Sequence, residues 1–134
     1  MATIFTRIID GEIPGTFVHR DEACVVFLSI NPLAPGHALV VPRAAVDHWV
    51  DLPAEISEHL FAVAHRVGRA QKAAFPCEKV GLIIAGYEVP HTHIHVIPTN
   101  DMSQMSFANA AAHVDRDELE ANAARLIAAL TRSD

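Results

Sequence analysis

His91-Thr92-His93-Ile94-His95-Val96-Ile97-Pro98 decides how this chain is read. Three histidines at spacing two alternate with Thr92, Ile94 and Val96. Alternate residues of a strand point to opposite faces, so a strand here lines one face with imidazoles and turns Ile94 and Val96 to the other. A row of three imidazoles is an unusual filling for a second face. Pro98 removes a ladder donor, which suits a strand end or an edge.

Three uses of that row compete: a solvated face that carries histidine by chance, a metal site, and catalysis. The chain has nine histidines, so some clustering is expected. Zinc needs nitrogens about 2.0–2.1 Å away in a tetrahedral array. At about 3.3 Å of rise per residue, the Cα atoms of His91 and His95 lie about 13 Å apart. Two neighbouring imidazoles could share an ion, but three on one regular strand hardly could. In the catalytic use, one imidazole is nucleophile or base while its neighbours orient it and bind an anionic substrate. Geometry favours catalysis.

The stretch His91 to Ile97 resembles the His-x-His-x-His signature of the histidine triad (HIT) superfamily. A second set of residues is similar to the nucleoside-phosphoramidase (Hint-like) branch. It comprises Ile4-Phe5-Thr6-Arg7-Ile8-Ile9-Asp10-Gly11-Glu12-Ile13-Pro14, then Cys24 to Phe27, then Asn31-Pro32-Leu33-Ala34-Pro35-Gly36-His37-Ala38-Leu39-Val40-Val41-Pro42. The likeness covers residues 3 to 50 and 79 to 98, with order and separation preserved.

A length of 134 residues suits one domain, residues 1–134, with a sizeable core. Apolar content of 51% against 19% charged excludes a disordered chain. The net charge of −6 argues against a nucleic-acid polymer, which needs a basic surface, but leaves room for a single nucleotide in a local pocket. Arg7, Asp10 and Glu12 interrupt the start, so no signal-peptide apolar region is read there. Residues 23–42 carry no charge, yet Pro32, Pro35, Gly36 and His37 exclude a membrane span. Cys24 and Cys77 match no zinc or redox spacing and read as apolar residues of a cytoplasmic protein. No cofactor is expected.

Ile4 to Asp10 reads as a short helix. Thr16 to His19 and Ala23 to Ile30 form a hairpin turning at Arg20-Asp21-Glu22. Asn31 to Gly36 is a loop by its turn chemistry, and His37 to Val41 a third strand. Leu52 to Ala74 is the longest helix, with Ile56, Leu60, Val63, Ala64 and Val67 on one stripe and Pro53 in its first turn. Lys79 to Ala85 is a fourth strand that turns near Gly86 into the histidine strand. Asn100 to Asn109 has no period and reads as a loop. Asp115 to Glu118 resembles a capping box opening a last helix through Leu119, Ala123, Leu126, Ile127 and Leu130. The sum is an α+β domain: a five-stranded antiparallel sheet, one long helix and a C-terminal helix, as in HIT proteins.

The resemblance implies a nucleotide hydrolase that cleaves at an α-phosphate through a nucleotidyl-histidine intermediate; a nucleotide-binding module without turnover is the alternative. It implies His93 as nucleophile, its proton held by a backbone carbonyl of the histidine strand, and His95 as the group that binds phosphate and assists the leaving group. Histidine rather than glutamine at His95 favours hydrolysis over nucleotidyl transfer. His91 and His37 become orienting groups. The base slot is implied at Phe5, Ile8, Ile13, Phe27 and Ile30, and phosphate contacts near Gly86, where Tyr87 and Glu88 depart from the relatives. Ser29 stands where relatives carry the ribose-binding aspartate, a loss of about 1–2 kcal/mol of hydrogen bonding. Thr3 and Thr6 stand where some relatives carry a Cys-x-x-Cys zinc pair, so no structural zinc is expected there. A homodimer is implied, and Phe61 and Ala62, offset from the core stripe, mark a candidate interface.

Overall fold

A computed structural model describes residues 2–132. The elements in chain order are α1 (Ile4–Ile9), β1 (Phe17–Arg20), β2 (Cys24–Leu28), β3 (Ala38–Pro42), α2 (Ala54–Ala74), β4 (Lys79–Ile83), β5 (Ile94–Thr99) and α3 (Arg116–Arg132). Short 3-10 turns occupy Trp49–Asp51, Met102–Met105 and Phe107–Asn109, the last two inside the stretch expected as plain loop. The five strands form one antiparallel sheet in the order β1-β2-β3-β5-β4. The fold is α+β, as the sequence pattern requires.

The period-two pattern sorts the sheet into two buried faces. Cys24, Val26 and Leu28 of β2, Ala38 and Val40 of β3, and Ile94 and Val96 of β5 meet α2 and α3 in the main core. The α2 stripe Leu60, Val63, Ala64 and Val67 is buried there, with Ile56 packed partly against it. Of the α3 stripe, Leu119, Ala123, Leu126 and Leu130 are buried, and Ile127 is exposed. Val25, Phe27, Leu39 and Val41 turn the other way and pack with Phe5 of α1. His95, opposite Leu39, emerges on that second face. The site therefore lies across the sheet from the long helix.

The histidine strand is shorter than expected. A strand from His91 was anticipated, but the ladder starts at Ile94, opposite Val40. Pro42 has no N–H with which to carry the pairing further. Thr92 turns instead to the 44–47 loop, where its amide and its hydroxyl each donate to the Val46 carbonyl at 2.8 Å. β4 likewise stops at Ile83, two residues short of its anticipated end. Pro98 sits beyond the last β3 partner, where only β4 runs alongside.

Gly36 makes the turn into β3 at φ +89, and a Cβ added there would meet the Phe75 ring at 2.5 Å. Left-handed strain and a clash with a buried ring act together. Gly36→Ala is expected to lower stability by about 2–4 kcal/mol. Urea unfolding measures it; a loss below about 0.5 kcal/mol would mean that neither effect operates.

Candidate active site

The backbone fixes the proton on each imidazole of the triad. His93 Nδ1 lies 2.7 Å from the His91 carbonyl, which can only accept. The network therefore assigns the proton to Nδ1 and leaves Nε2 as a lone pair. His91 Nε2 donates to the Pro42 carbonyl at 2.7 Å, so its Nδ1 accepts from the Thr3 hydroxyl at 2.7 Å. Thr3 is also the N-cap of α1, where it accepts from the Thr6 amide. Thr3 and Thr6 thus bond to each other and Thr3 bonds to His91, which ties α1 to the triad.

A second chain of hydrogen bonds starts at an amide. Leu33 N–H donates to His37 Nδ1 at 3.0 Å, so the His37 proton sits on Nε2. His37 Nε2 then donates to His95 Nδ1 at 2.9 Å, and His95 keeps its own proton on Nε2. His93 and His95 meet edge to face with ring centroids 4.8 Å apart. Phe5 touches the His93 ring and Phe107 the His95 ring, each at 4.8 Å between centroids.

Burial keeps these imidazoles neutral. It lowers His37 to about 4 with help from His93, and His95 to about 3 with help from His93 and His37. Burial also lowers His93 and His91; the carbonyl bonded to each opposes the shift. A neutral His93 with Nε2 unprotonated is the form that can attack an electrophile.

A cavity of about 870 Å³ opens over this arrangement. Of the residues expected to form the site, His37, His93, His95, Phe5, Ile8, Ile13, Phe27, Ser29, Ile30 and Glu88 line it. His91 does not; it is fully buried and works through its carbonyl. Gly86 does not either: it makes the preceding turn at φ +80. Ile30 is 68% exposed, a rim rather than a wall. Ser29 Oγ accepts from the Asn31 amide at 3.1 Å, so the hydroxyl is already engaged locally. Sequence reasoning missed the cover: Phe107, Ala110 to His113 and Val114 line the same space. Phe107, an aromatic residue in an otherwise polar stretch, was the available signal.

Comparison with known proteins identifies the family and agrees with the fold. The HIT domain family model matches residues 10–102. An uncharacterized HIT-like protein of Methanocaldococcus jannaschii is 35% identical over 122 residues, 87% of this chain and 94% of that protein. The adenosine 5'-monophosphoramidase of Saccharomyces cerevisiae is 33% identical over 135 residues, 99% of this chain and 85% of that protein. A crystal structure of a zinc-bound histidine triad family protein from Mycobacterium smegmatis superposes with a TM-score of 0.84 at 28% identity, covering 100% of this chain and 96% of that one. The chain belongs to the HIT family. Among the described residues no helix is long and apolar enough to cross a membrane.

The low values of His37 and His95 make stability depend on pH. Unfolded, both take up a proton near the ordinary 6.5; folded, they resist it down to about 4 and about 3. The unfolded state binds more protons in that window, so stability is full above 6.5 and falls as pH drops toward 4. Asp21 starts to act only below its ordinary 3.8, outside the window. Urea unfolding is expected to lose several kcal/mol between pH 7 and pH 4. NMR titration in which the rings of His37 and His95 protonate near 6.5 would contradict the burial argument.

Proposed function

We propose that this protein hydrolyses nucleoside phosphoramidates or related nucleotide conjugates at the α-phosphate, through a nucleotidyl-His93 intermediate. The observation that carries the reading is the His93 Nδ1 bond to the His91 carbonyl, which reserves Nε2 for attack beside the cavity. Nε2 bonds to phosphorus as the P–N or P–O bond breaks, and the leaving group takes a proton through His95. Water then attacks the adduct and returns a proton to His95, freeing His93. His95 is neutral in the free protein, and an anionic phosphate beside it shifts it back toward the charged form. Phe5, Ile8, Ile13 and Phe27 supply an apolar slot for the base. The 33% identical yeast relative, an adenosine 5'-monophosphoramidase, supports the choice of bond.

Intact-protein mass spectrometry after a brief pulse of adenosine 5'-phosphoramidate tests the mechanism. A mass increase of one nucleotidyl group is expected, absent in His93→Ala. That variant should lose hydrolysis by a factor of about 10³ or more in kcat while nucleotide binding changes little. Parental activity in His93→Ala would sink the mechanism. Nucleotide binding by the parent with neither adduct nor turnover would leave a binding module instead.

The same reading includes a cytoplasmic homodimer. The cysteines Cys24 and Cys77 are free thiols, which suits a reducing compartment. Phe61 on α2 is 41% exposed and Leu82 on the edge strand β4 is 45% exposed, offering apolar surface to a second copy. Light scattering at micromolar concentration is expected to give twice the chain mass, reduced to one by Phe61→Glu. A monomeric parent refutes it.

A further inference from the structure

His19, Asp21, Cys24 and His59 gather at the far end of the β1–β2 hairpin, and none of them lines the active-site cavity. Cys24 faces the α2 layer, whereas His95 emerges on the opposite face of the sheet. Asp21 Oδ1 is taken by the turn, accepting from the amides of Ala23 and Cys24 at 2.8 Å each. Oδ2 is left for side chains. His19 Nε2 stands 2.7 Å from it, His59 Nε2 2.8 Å, and Cys24 Sγ 3.5 Å. The ligand atoms of His19, Asp21 and Cys24 lie within 4.8 Å of one another, and His59 joins the trio from α2 through Asp21.

We propose that these four side chains bind a divalent cation of zinc type in a closed tetrahedral site that pins the hairpin to α2. The ligand set is chemically apt: a thiolate, two imidazoles and a carboxylate select zinc over harder ions. The spacing of His19, Asp21 and Cys24 is close to what the ion requires, and His59, bonded so far only to Asp21, swings in from α2 to complete the set. Bonds of about 2.0–2.1 Å to nitrogen and oxygen and 2.3 Å to sulfur set tetrahedral edges near 3.3 Å for N–O pairs and near 3.5 Å for the S–O pair. The S–O edge already measures 3.5 Å, and the two N–O edges at 2.7 and 2.8 Å open by about half an ångström. Both imidazoles already meet Oδ2 through Nε2; each moves its proton to Nδ1 on binding, and His59 also closes toward Cys24 and His19. The Cys24 thiol gives its proton to solvent on binding, so ion, thiolate and carboxylate sum to zero charge. A hairpin packing on a helix has no need of two imidazoles, a thiol and a carboxylate at one point.

The test is titration of the full chain, first stripped with chelator, with Co²⁺ and then Zn²⁺. The expected result is one equivalent of Co²⁺ with intense visible bands of a tetrahedral ion and a near-ultraviolet thiolate-to-cobalt band, displaced by Zn²⁺. Zn²⁺ should also raise the Tm. His59→Gln and Asp21→Asn should each weaken uptake by at least about tenfold, since even outer-shell partners carry that much. Cys24→Ser should abolish the thiolate band. If Cys24→Ser fails to fold, half-buried His59 still carries the test, because its replacement leaves the core intact. The proposal falls if no cation binds, if the complex lacks the thiolate band, or if uptake survives His59→Gln but disappears in His93→Ala.

Discussion

A single buried amide, that of Gln71, holds the two halves of the candidate site in register. Its Nε2 donates to the Gly36 and Val96 carbonyls, both at 2.9 Å. Gly36 precedes His37 and Val96 follows His95, so the side chain grips both sides of the His37–His95 hydrogen bond. The sheet cannot do this itself. Pairing of β3 with β5 ends at Ala38 and Val96, and Pro98 has no N–H with which to extend it. Buried carbonyls left without donors are costly, and α2 supplies the donors from across the core. Gly36 and Phe75 close the same corner, so the His37–His95 pair rests on a packed joint rather than on a loop.

With the positions fixed, backbone groups also fix the protons. The carbonyls of His91 and Pro42 can only accept, and the amide of Leu33 can only donate. None of them changes protonation with pH, so the direction of each histidine hydrogen bond is set as long as the rings stay neutral. Burial then keeps all four rings neutral where a solvated ring would be part charged. Position and charge state thus arise from one cause: imidazoles placed at the edge of a core.

Much of this was legible in the sequence, and the parts that were not share a reason. The alternation of Ile94 and Val96 with His95, and the stripes of α2 and α3, are apolar periodicities that burial enforces. The start of β5 is not such a pattern. It depends on where β3 runs out of partners, a long-range matter. Nothing in the sequence singles out Gln71, because its value lies in two carbonyls remote in sequence. His19 and His59 share no spacing that marks a site; only the fold brings them to one carboxylate oxygen. The cover around Phe107 had no period to betray it.

Glu88 is the residue whose meaning changes most between the sequence and the site. Read by the family resemblance, it is a carboxylate where relatives hold a phosphate, and it would repel one. In the site it lines the cavity, and its charge favours a proton on His93. In the proposed mechanism Nε2 bonds to phosphorus while Nδ1 keeps its proton, and the His93 ring becomes cationic. The same negative charge that opposes the incoming phosphate then favours the adduct, as does the His91 carbonyl at 2.7 Å. A group that disfavours the bound anion and favours the cationic ring acts more strongly on the intermediate than on the ground state, and such a difference, not tight binding, is what raises a rate.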